Sequence, residues 1–477
     1  MDRASVLYED FVKALNLEPT PCQDNLLRDI AGFVTCDDAD ILVVNGFAGT
    51  GKTTAVSAVI RSLRQHRIRS VLLAPTGRSA KVLEHYSGRP AATIHKHIYR
   101  QSSVGKDGYG QFKLAPNKAK STLFVVDEAS LIGIESAKQQ STMLFGTGNL
   151  LEDLVTFVRN GDDCRLILIG DNAQLPPVGM DSSPALDPGC MENFGGVRYS
   201  CLNTVVRQAL KSGILSNATR LRKLTESAES ASEPAEINLS LDGFDDIARI
   251  KGGELIECLS DAYSKYGEDN TIVLCRSNKR AIRYNMGIRS TVQFKEERLV
   301  RDDKLMIVRN CYQFVEDADG LDYIANGDIA TLVRIKNYED RYGLHFADAT
   351  LCFPDYNSVE INAKVCLDTL ESESAALTVE QQNALYLGVS EDYADRGGKK
   401  KIWEAVREDR YFNALQLKYA NAITCHKSQG GQWDCVFIDC PFWMDEQTVD
   451  DVKWLYTALT RAVKQVYLVN FNDRFFE

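Results

Sequence analysis

The 477-residue chain has few histidines, 6, and few methionines, 7, and none of its 13 cysteines falls in a C-x-x-C pair. Without such a pair or a cysteine–histidine cluster at zinc spacing, neither a structural zinc nor an iron–sulfur cluster is indicated. The cysteines read as buried thiols of a reducing compartment. No apolar run approaches the roughly 18 to 20 residues that span a bilayer, and the opening MDRASVLYED has no signal-peptide core. The expectation is a cytoplasmic protein with no membrane partner. Positive net charge is lacking too: at −11 the balance argues against a chain that coats nucleic acid over its whole surface, and leaves a local basic channel open.

Charge is unevenly spread. Residues 1–40 hold nine Asp and Glu against three Lys and Arg, whereas residues 61–100 hold nine Lys and Arg against one Glu. That basic segment is the first candidate for a phosphate-binding face, a solvated helix face being the alternative. Hydrophobic residues make up 44% of the chain and aromatics 9%, enough for several cores, and the length suits about three domains.

The stretch Ile41 to Thr54, ILVVNGFAGTGKTT, carries the most information. A β-branched strand runs into G-x-x-x-x-G-K-T, where Gly46, Gly49 and Gly51 let the backbone of Phe47, Ala48 and Thr50 curl until its N–H groups face a phosphate chain. The helix that starts at Lys52 adds its positive N-terminal end, with Thr53 and Thr54 in its first turn. Lys52 reaches the β- and γ-phosphates, and the Thr53 hydroxyl is placed to hold Mg²⁺. This is a nucleoside-triphosphate site, and ATP with Mg²⁺ is the expected pair.

Strand and helix then alternate, which implies an α/β fold with a parallel sheet covered on both faces. Helix Lys52 to Arg64, strand Val71 to Ala74, helix Gly77 to His85 and strands Leu123 to Val126 and Arg165 to Ile169 follow in turn. Ligands of such sheets sit at the carboxyl ends of the strands, so residues immediately after strands matter most. Residues 98–120, with Tyr99, Tyr109 and Phe112, interrupt the alternation as a small β-hairpin subdomain or a long loop. A second α/β unit begins near Arg207, and residues 226–245, rich in Ser, Glu and Pro, read as a surface excursion. Short β segments after Asn326-Gly327-Asp328 and a charged stretch from Glu371 to Arg410 read as a β-rich insertion before the alternation returns at Leu417.

LFVVDEAS, Leu123 to Ser130, is an apolar strand ending in two adjacent carboxylates. After a P-loop, Asp127 suits holding Mg²⁺ through water and Glu128 suits activating the attacking water. RLILIGDNAQLPPVG, from Arg165, delivers Asp171 and Gln174 to the same sheet edge, where Gln174 can touch the γ-phosphate and report its loss.

Together with YANAITCHKSQGGQWDCVFI (Tyr419 to Ile438) and WLYTALTRAVKQVYLV (Trp454 to Val469), these motifs resemble superfamily 1 DNA helicases, most of all the RecD-like and Dda-like subgroup that moves 5′ to 3′. The resemblance runs in order along nearly the whole chain. It implies two RecA-like domains, residues 1–204 and residues 205–326 with 410–477, an SH3-like insertion over 327–409, and a strand-splitting pin within 98–120. It further implies Gln23 as the adenine reader and Arg207 and Arg461 as arginines lent by the second domain to the transferring phosphoryl. The DNA grips would be Pro75, Thr76, Arg78, Lys81 and His95 in the first domain and Thr424, His426 and Lys427 in the second, with Tyr109 and Phe112 on the pin. Gln432 stands where the subgroup often has a Glu next to the nucleotide, so amide hydrogen bonding replaces a carboxylate there. The expected partners are single-stranded and tailed duplex DNA, with replication or recombination proteins possible beside them, and the expected state is a monomer, nucleoid-associated in a bacterium or phage. Two alternatives stay open: a motor subunit of a larger recombination or replication complex, and an RNA helicase.

Overall fold

The computed structural model describes residues 2–104, 110–134, 144–206, 211–231, 236–315, 324–441 and 446–476. Three bodies of secondary structure organise them. The first is a six-stranded, all-parallel sheet in the order Ala91–Thr93, Arg69–Ala74, Thr122–Val126, Arg165–Gly170, Ile41–Gly46, Val197–Leu202. Its central strands are buried on both faces, as Ile41 to Val44 and Leu123 to Val126 require, since Val, Ile, Leu and Phe runs without alternation fit a sheet covered on two sides. Helices Arg3–Leu15, Pro21–Thr35 and Lys52–Gln65 cover one face, and Leu150–Arg159 packs with the core of the other.

The second is a five-stranded parallel sheet in the order Ile247–Ile250, Ala462–Val469, Trp433–Asp439, Thr271–Cys275, Ala422–Thr424. Helix Gly213–Ala231 lies against helix Val449–Leu459 on one side of it. The third is a closed five-stranded barrel of Lys304–Ile307, Ile329–Arg341, Leu344–Phe353, Val359–Cys366 and Leu415–Tyr419. Its longest hairpin turns on Tyr342 and Gly343, both at positive φ (52° and 74°), the two-residue geometry whose twist matches the strands it joins.

Two details differ from the reading of the sequence. The barrel takes in Lys304–Ile307 and Leu415–Tyr419, outside the expected 327–409, because closure needs a first and a last strand to seal the antiparallel meander. The stretch 226–245 is not all surface. Helix Gly213–Ala231 runs into it, and Ile237 and Leu239 are buried to 1% and 0% exposure, Leu239 donating its N–H to the Phe475 carbonyl. Two apolar residues in a polar stretch carry that anchoring, and composition averaged over twenty residues hides them. Among the described residues no helix is long and apolar enough to cross a membrane.

Residues Tyr99–Val104 and Gly110–Leu114 form an antiparallel hairpin, with Tyr99 opposite Leu114. Leu144–Phe145 adds a third strand. At the hairpin's base the Tyr99 hydroxyl donates to the buried Asp153 at 2.7 Å, on the helix that follows.

Candidate nucleotide site and nucleic-acid face

The P-loop leaves strand Ile41–Gly46 and enters helix Lys52–Gln65 through Gly49 and Gly51 at φ 73° and 74°. Lys52 Nζ donates to the Gly46 carbonyl at 3.2 Å, folding back over the loop. A Cβ built on Gly51 would lie 2.4 Å from Gln23 Nε2, so only glycine lets the loop pass that side chain. Thr50 is fully buried and bonds the Phe47 carbonyl. Thr53 sits in the first helical turn with Lys52, and Thr54 beside it is exposed.

Gln23 is buried, and both ends of its amide are engaged. Oε1 accepts from Thr20 N–H in a capping box, and Nε2 donates to the Thr50 carbonyl at 3.0 Å. It is therefore a brace between the Pro21–Thr35 helix and the P-loop, and reading a base would require it to release one of these bonds.

Asp127 and Glu128 follow strand Thr122–Val126. Enclosure pushes the Asp127 carboxyl above the usual carboxylate range, opposed by the charge of Lys52 and reinforced by that of Glu128. Glu128 has φ 54°, and no hydrogen-bond partner among the described residues meets its buried Oε2. Gln174, 4% exposed, has its Oε1 in the same condition. Beside Asp127 and Lys52, the orphaned Glu128 acceptor fits a water or a hydrated cation that can donate an O–H to it; left unpaired it would cost on the order of 1–3 kcal/mol. Asp127 and Thr53 are the residues that would hold Mg²⁺.

The loop from Asp171 to Leu175 is held from the second sheet. Leu175 N–H donates to Thr457 Oγ1 at 2.8 Å, and Gln429 Nε2 donates to the Leu175 carbonyl at 2.7 Å. Phe47, Ala173 and Leu175 pack into the same core as Trp454, Leu455 and Tyr456. Arg461 is 3% exposed and gives its guanidinium to the Thr457 and Gly431 carbonyls, both at 3.2 Å, and to Thr460 Oγ1. It lies at the domain junction but is bonded within its own domain. Arg207 lies outside the described residues. Gln432, expected on the nucleotide, is exposed at the turn into Trp433–Asp439, and the glutamine entering the junction is Gln429.

Of the expected grip residues, Thr76 caps helix Gly77–Ser87 by accepting from Ser79 N–H, and Pro75 precedes it. Arg78 lies 4.1 Å above the Trp433 ring, carrying the first domain onto the second. His95 stands on helix Ile94–Ile98 beside Tyr99, where burial lowers it to about 4, so at neutral pH it can hydrogen-bond or stack but brings no charge. Thr424, His426 and Lys427 share a pocket of about 560 Å³ with Arg276, Lys279 and Lys418. Lys427 donates to Asn326 Oδ1 at 2.7 Å, and the loss of water around its ammonium lowers it to about 8. Phe112 lies tilted on Tyr312 at 5.5 Å, next to the barrel, and Tyr109 lies outside the described residues. The reading of the sequence did not single out Gln429, Tyr456 or Thr457. All three lie inside quoted motif stretches, and the hydroxyls of Tyr456 and Thr457 directly after the apolar pair Trp454 and Leu455 were the signal available.

Fold and site define a P-loop protein whose two parallel-sheet domains meet over the phosphate cradle. An AAA domain model matches residues 23–233 and a UvrD-like helicase C-terminal domain model matches residues 419–469, one on each domain. In these matched segments the chain is similar to superfamily 1 helicases of the RecD-like kind. It is 33% identical over 156 residues to the ATP-dependent RecD2 DNA helicase of Deinococcus radiodurans, covering 33% of this chain and 18% of that protein. Against the ATP-dependent DNA helicase dda of Enterobacteria phage T4 it is 32% identical over 140 residues, 29% of this chain and 28% of that one. An uncharacterised protein of Methanocaldococcus jannaschii is 25% identical across 98% of this chain and 39% of its own length. The chain thus spans well under half the length of these curated relatives. A Bacteroides Pif1 helicase solved with ADP-AlF3 and single-stranded DNA aligns at 15% identity over 97% of this chain and 95% of that one with TM-score 0.49, too low to carry residue roles.

Proposed function

We propose that the chain is an ATP-driven motor that moves 5′ to 3′ on single-stranded DNA and opens duplex DNA ahead of it. The observation that carries this reading is that the P-loop and the Asp171–Leu175 loop, one for binding phosphates and one for sensing them, are both fastened to the second domain. A change at the γ-phosphate is thereby a change at the domain junction. Lys52 and the loop amides bind the phosphates, Glu128 takes the proton of the attacking water, and Gln174 contacts the γ-phosphate. Mg²⁺, when bound at Thr53 and Asp127, supplies charge neutralisation on the β- and γ-oxygens. Arg461, on leaving its backbone carbonyls, and Arg207 would add positive charge there.

Closure and reopening shift the Thr76–Arg78 grip against the Thr424–Lys427 grip, which turns turnover into a step along the strand. The barrel touches both grips: Asn326 takes Lys427, and a Cβ on Gly77 would meet Tyr356 Oη and Asp328 Oδ1. The polarity comes from the likeness to the RecD-like subgroup. Unwinding of 5′-tailed and 3′-tailed duplexes with ATP tests the reading: the 5′-tailed substrate should open and the 3′-tailed one should not. Opening of the 3′-tailed substrate alone overturns the polarity. ATPase stimulated by single strands with neither duplex opened favours the motor subunit of a larger complex, and stronger competition by RNA than by DNA favours the RNA helicase.

A further inference from the structure

Tyr456 lies on helix Val449–Leu459 of the second domain, 1% exposed, in the middle of the core that spans the junction. Its hydroxyl makes two bonds, and both leave its own domain. It accepts the P-loop N–H of Ala48 at 3.0 Å and donates to Asp171 Oδ2 at 2.6 Å. Asp171 is itself 1% exposed, and its other oxygen accepts Ala173 N–H at 3.0 Å, while its carbonyl accepts Gln174 N–H at 3.3 Å. Tyr456 therefore sets the carboxylate that sets the turn carrying Gln174, and the same oxygen fixes an amide of the phosphate loop.

We infer that the Tyr456 hydroxyl is a positioning residue for ATP hydrolysis, the connection that registers the P-loop and the Gln174 loop against each other across the domain junction. The inference rests on the proposed motor reading and adds a residue to it. The chemistry suits the role. A tyrosine hydroxyl donates and accepts at once, so one atom can join an N–H to a carboxylate where an ionic group could not serve both. Burial keeps that proton on the oxygen, raising Tyr456 well above its ordinary value. The hydroxyl touches no reacting atom. Its effect passes through Ala48 and Asp171, so it acts on the rate of turnover more than on the capture of nucleotide.

The test compares the full chain with Tyr456→Phe, Asp171→Asn and the double variant, in ATPase assays with saturating single-stranded DNA and in binding of a non-hydrolysable ATP analogue. Tyr456→Phe retains the ring and the packing. The expected result is a fall in kcat of about tenfold or more, with KM and analogue affinity within about threefold and a melting temperature close to wild type. Because the two residues share one hydrogen bond, the loss in the double variant should fall well short of the product of the two single losses. Turnover within twofold of wild type in Tyr456→Phe overturns the inference, as does a multiplicative loss in the double variant. A loss matched by a collapse of melting temperature also overturns it, since the hydroxyl would then be structural. A wild-type chain that fails to hydrolyse ATP on DNA would instead refute the motor reading and is seen in the same assay.

Discussion

Glu128 has a left-handed backbone, φ 54° and ψ 37°, directly after the strand that ends in Asp127, and its own N–H donates to Asp127 Oδ1 at 2.9 Å. That kink turns the glutamate away from the strand direction, and a non-glycine residue is held there only when its surroundings demand it. With Oε2 buried and unpartnered among the described residues, the side chain is poised for a proton that the protein itself does not supply. Glu128→Gln keeps the shape and removes the basicity. Turnover should fall about 10²- to 10⁴-fold, the usual contribution of a general base, while ATP binding persists. Single-turnover hydrolysis and equilibrium nucleotide binding on one preparation check both halves, and hydrolysis within fivefold of wild type would remove Glu128 from the proton-transfer role. The positions of Lys52, Thr53, Asp127, Glu128 and Gln174 after strands of one parallel sheet were legible in the sequence, because each occupies a fixed step from a strand end and strand ends in a parallel sheet share one edge. Gln23 was legible as a position but not in its bonding, since a capping box and a bond to Thr50 engage the amide that was expected to face a base. Gln429 and Tyr456 were not legible, because their partners are 254 and 285 residues away and only the meeting of two domains reveals them.

At the scale of single elements, the hairpin of Tyr99–Val104 and Gly110–Leu114 has two ends with different physics. Its base is structural: Tyr99 is 4% exposed, bonded to Asp153, and part of the first domain's core. Farther along, Phe112 packs at the edge of that same core and also lies against Tyr312, between the first domain and the barrel. Aromatic pairs in this geometry add about 0.5–1.5 kcal/mol beyond buried area, enough to keep a hairpin in register with its neighbour but not to hold the domain together. Phe112→Ala should therefore reduce duplex unwinding several-fold and leave the single-strand-stimulated ATPase within twofold. Tyr99→Phe strips a buried carboxylate of a donor and should lower the melting temperature. If Phe112→Ala lowers ATPase, unwinding and melting temperature together, the aromatic is core and the hairpin splits no strands. A hairpin was one of two readings of Gly, Lys and Ser interleaved with aromatics, a long loop being the other, and its contact with Tyr312 could not be read at all, because no local pattern encodes which distant loop a strand tip will meet. The barrel was legible as short β segments and misjudged in extent for a related reason: Lys304–Ile307 is only four residues long, and pairing with Ile329–Arg341 and Leu415–Tyr419 is what makes it a strand.

For the molecule as a whole, a net charge of −11 must coexist with a face that attracts phosphates. The pocket lined by Arg276, Lys279, Lys418, Thr424, His426 and Lys427 gathers basic residues on the second domain, with Lys279 paired to Glu373 and Arg276 to Asp451. Desolvation lowers Lys427 and Lys418 to about 8 each, so their ammonium groups are charged below that pH and lose the charge above it. A DNA phosphate favours the charged form, so binding raises these lysines back toward their ordinary range and takes up protons. Affinity for single-stranded DNA should consequently fall as pH rises from 7 to 9. The effect of salt follows from the same charges. Each phosphate neutralised contributes about −0.7 to the slope of log affinity against log salt on a single strand, so the slope at pH 9 should be shallower than at pH 7 by about 0.7 for each lysine that has lost its proton. Lys418 Nζ is bonded to the Thr369 and Ser372 carbonyls, whereas Lys427 Nζ donates to the side-chain amide of Asn326 at the rim of the pocket, a single bond among the described residues that a strand could replace. Lys427→Gln should weaken binding at pH 7 and remove most of the difference between the two pH values, while hydrolysis without DNA stays near wild type. Fluorescence anisotropy of a labelled oligonucleotide across salt at both pH values decides the matter. An affinity indifferent to salt would contradict an electrostatic channel, and a pH effect undiminished in Lys427→Gln would move the titrating contact elsewhere on the face.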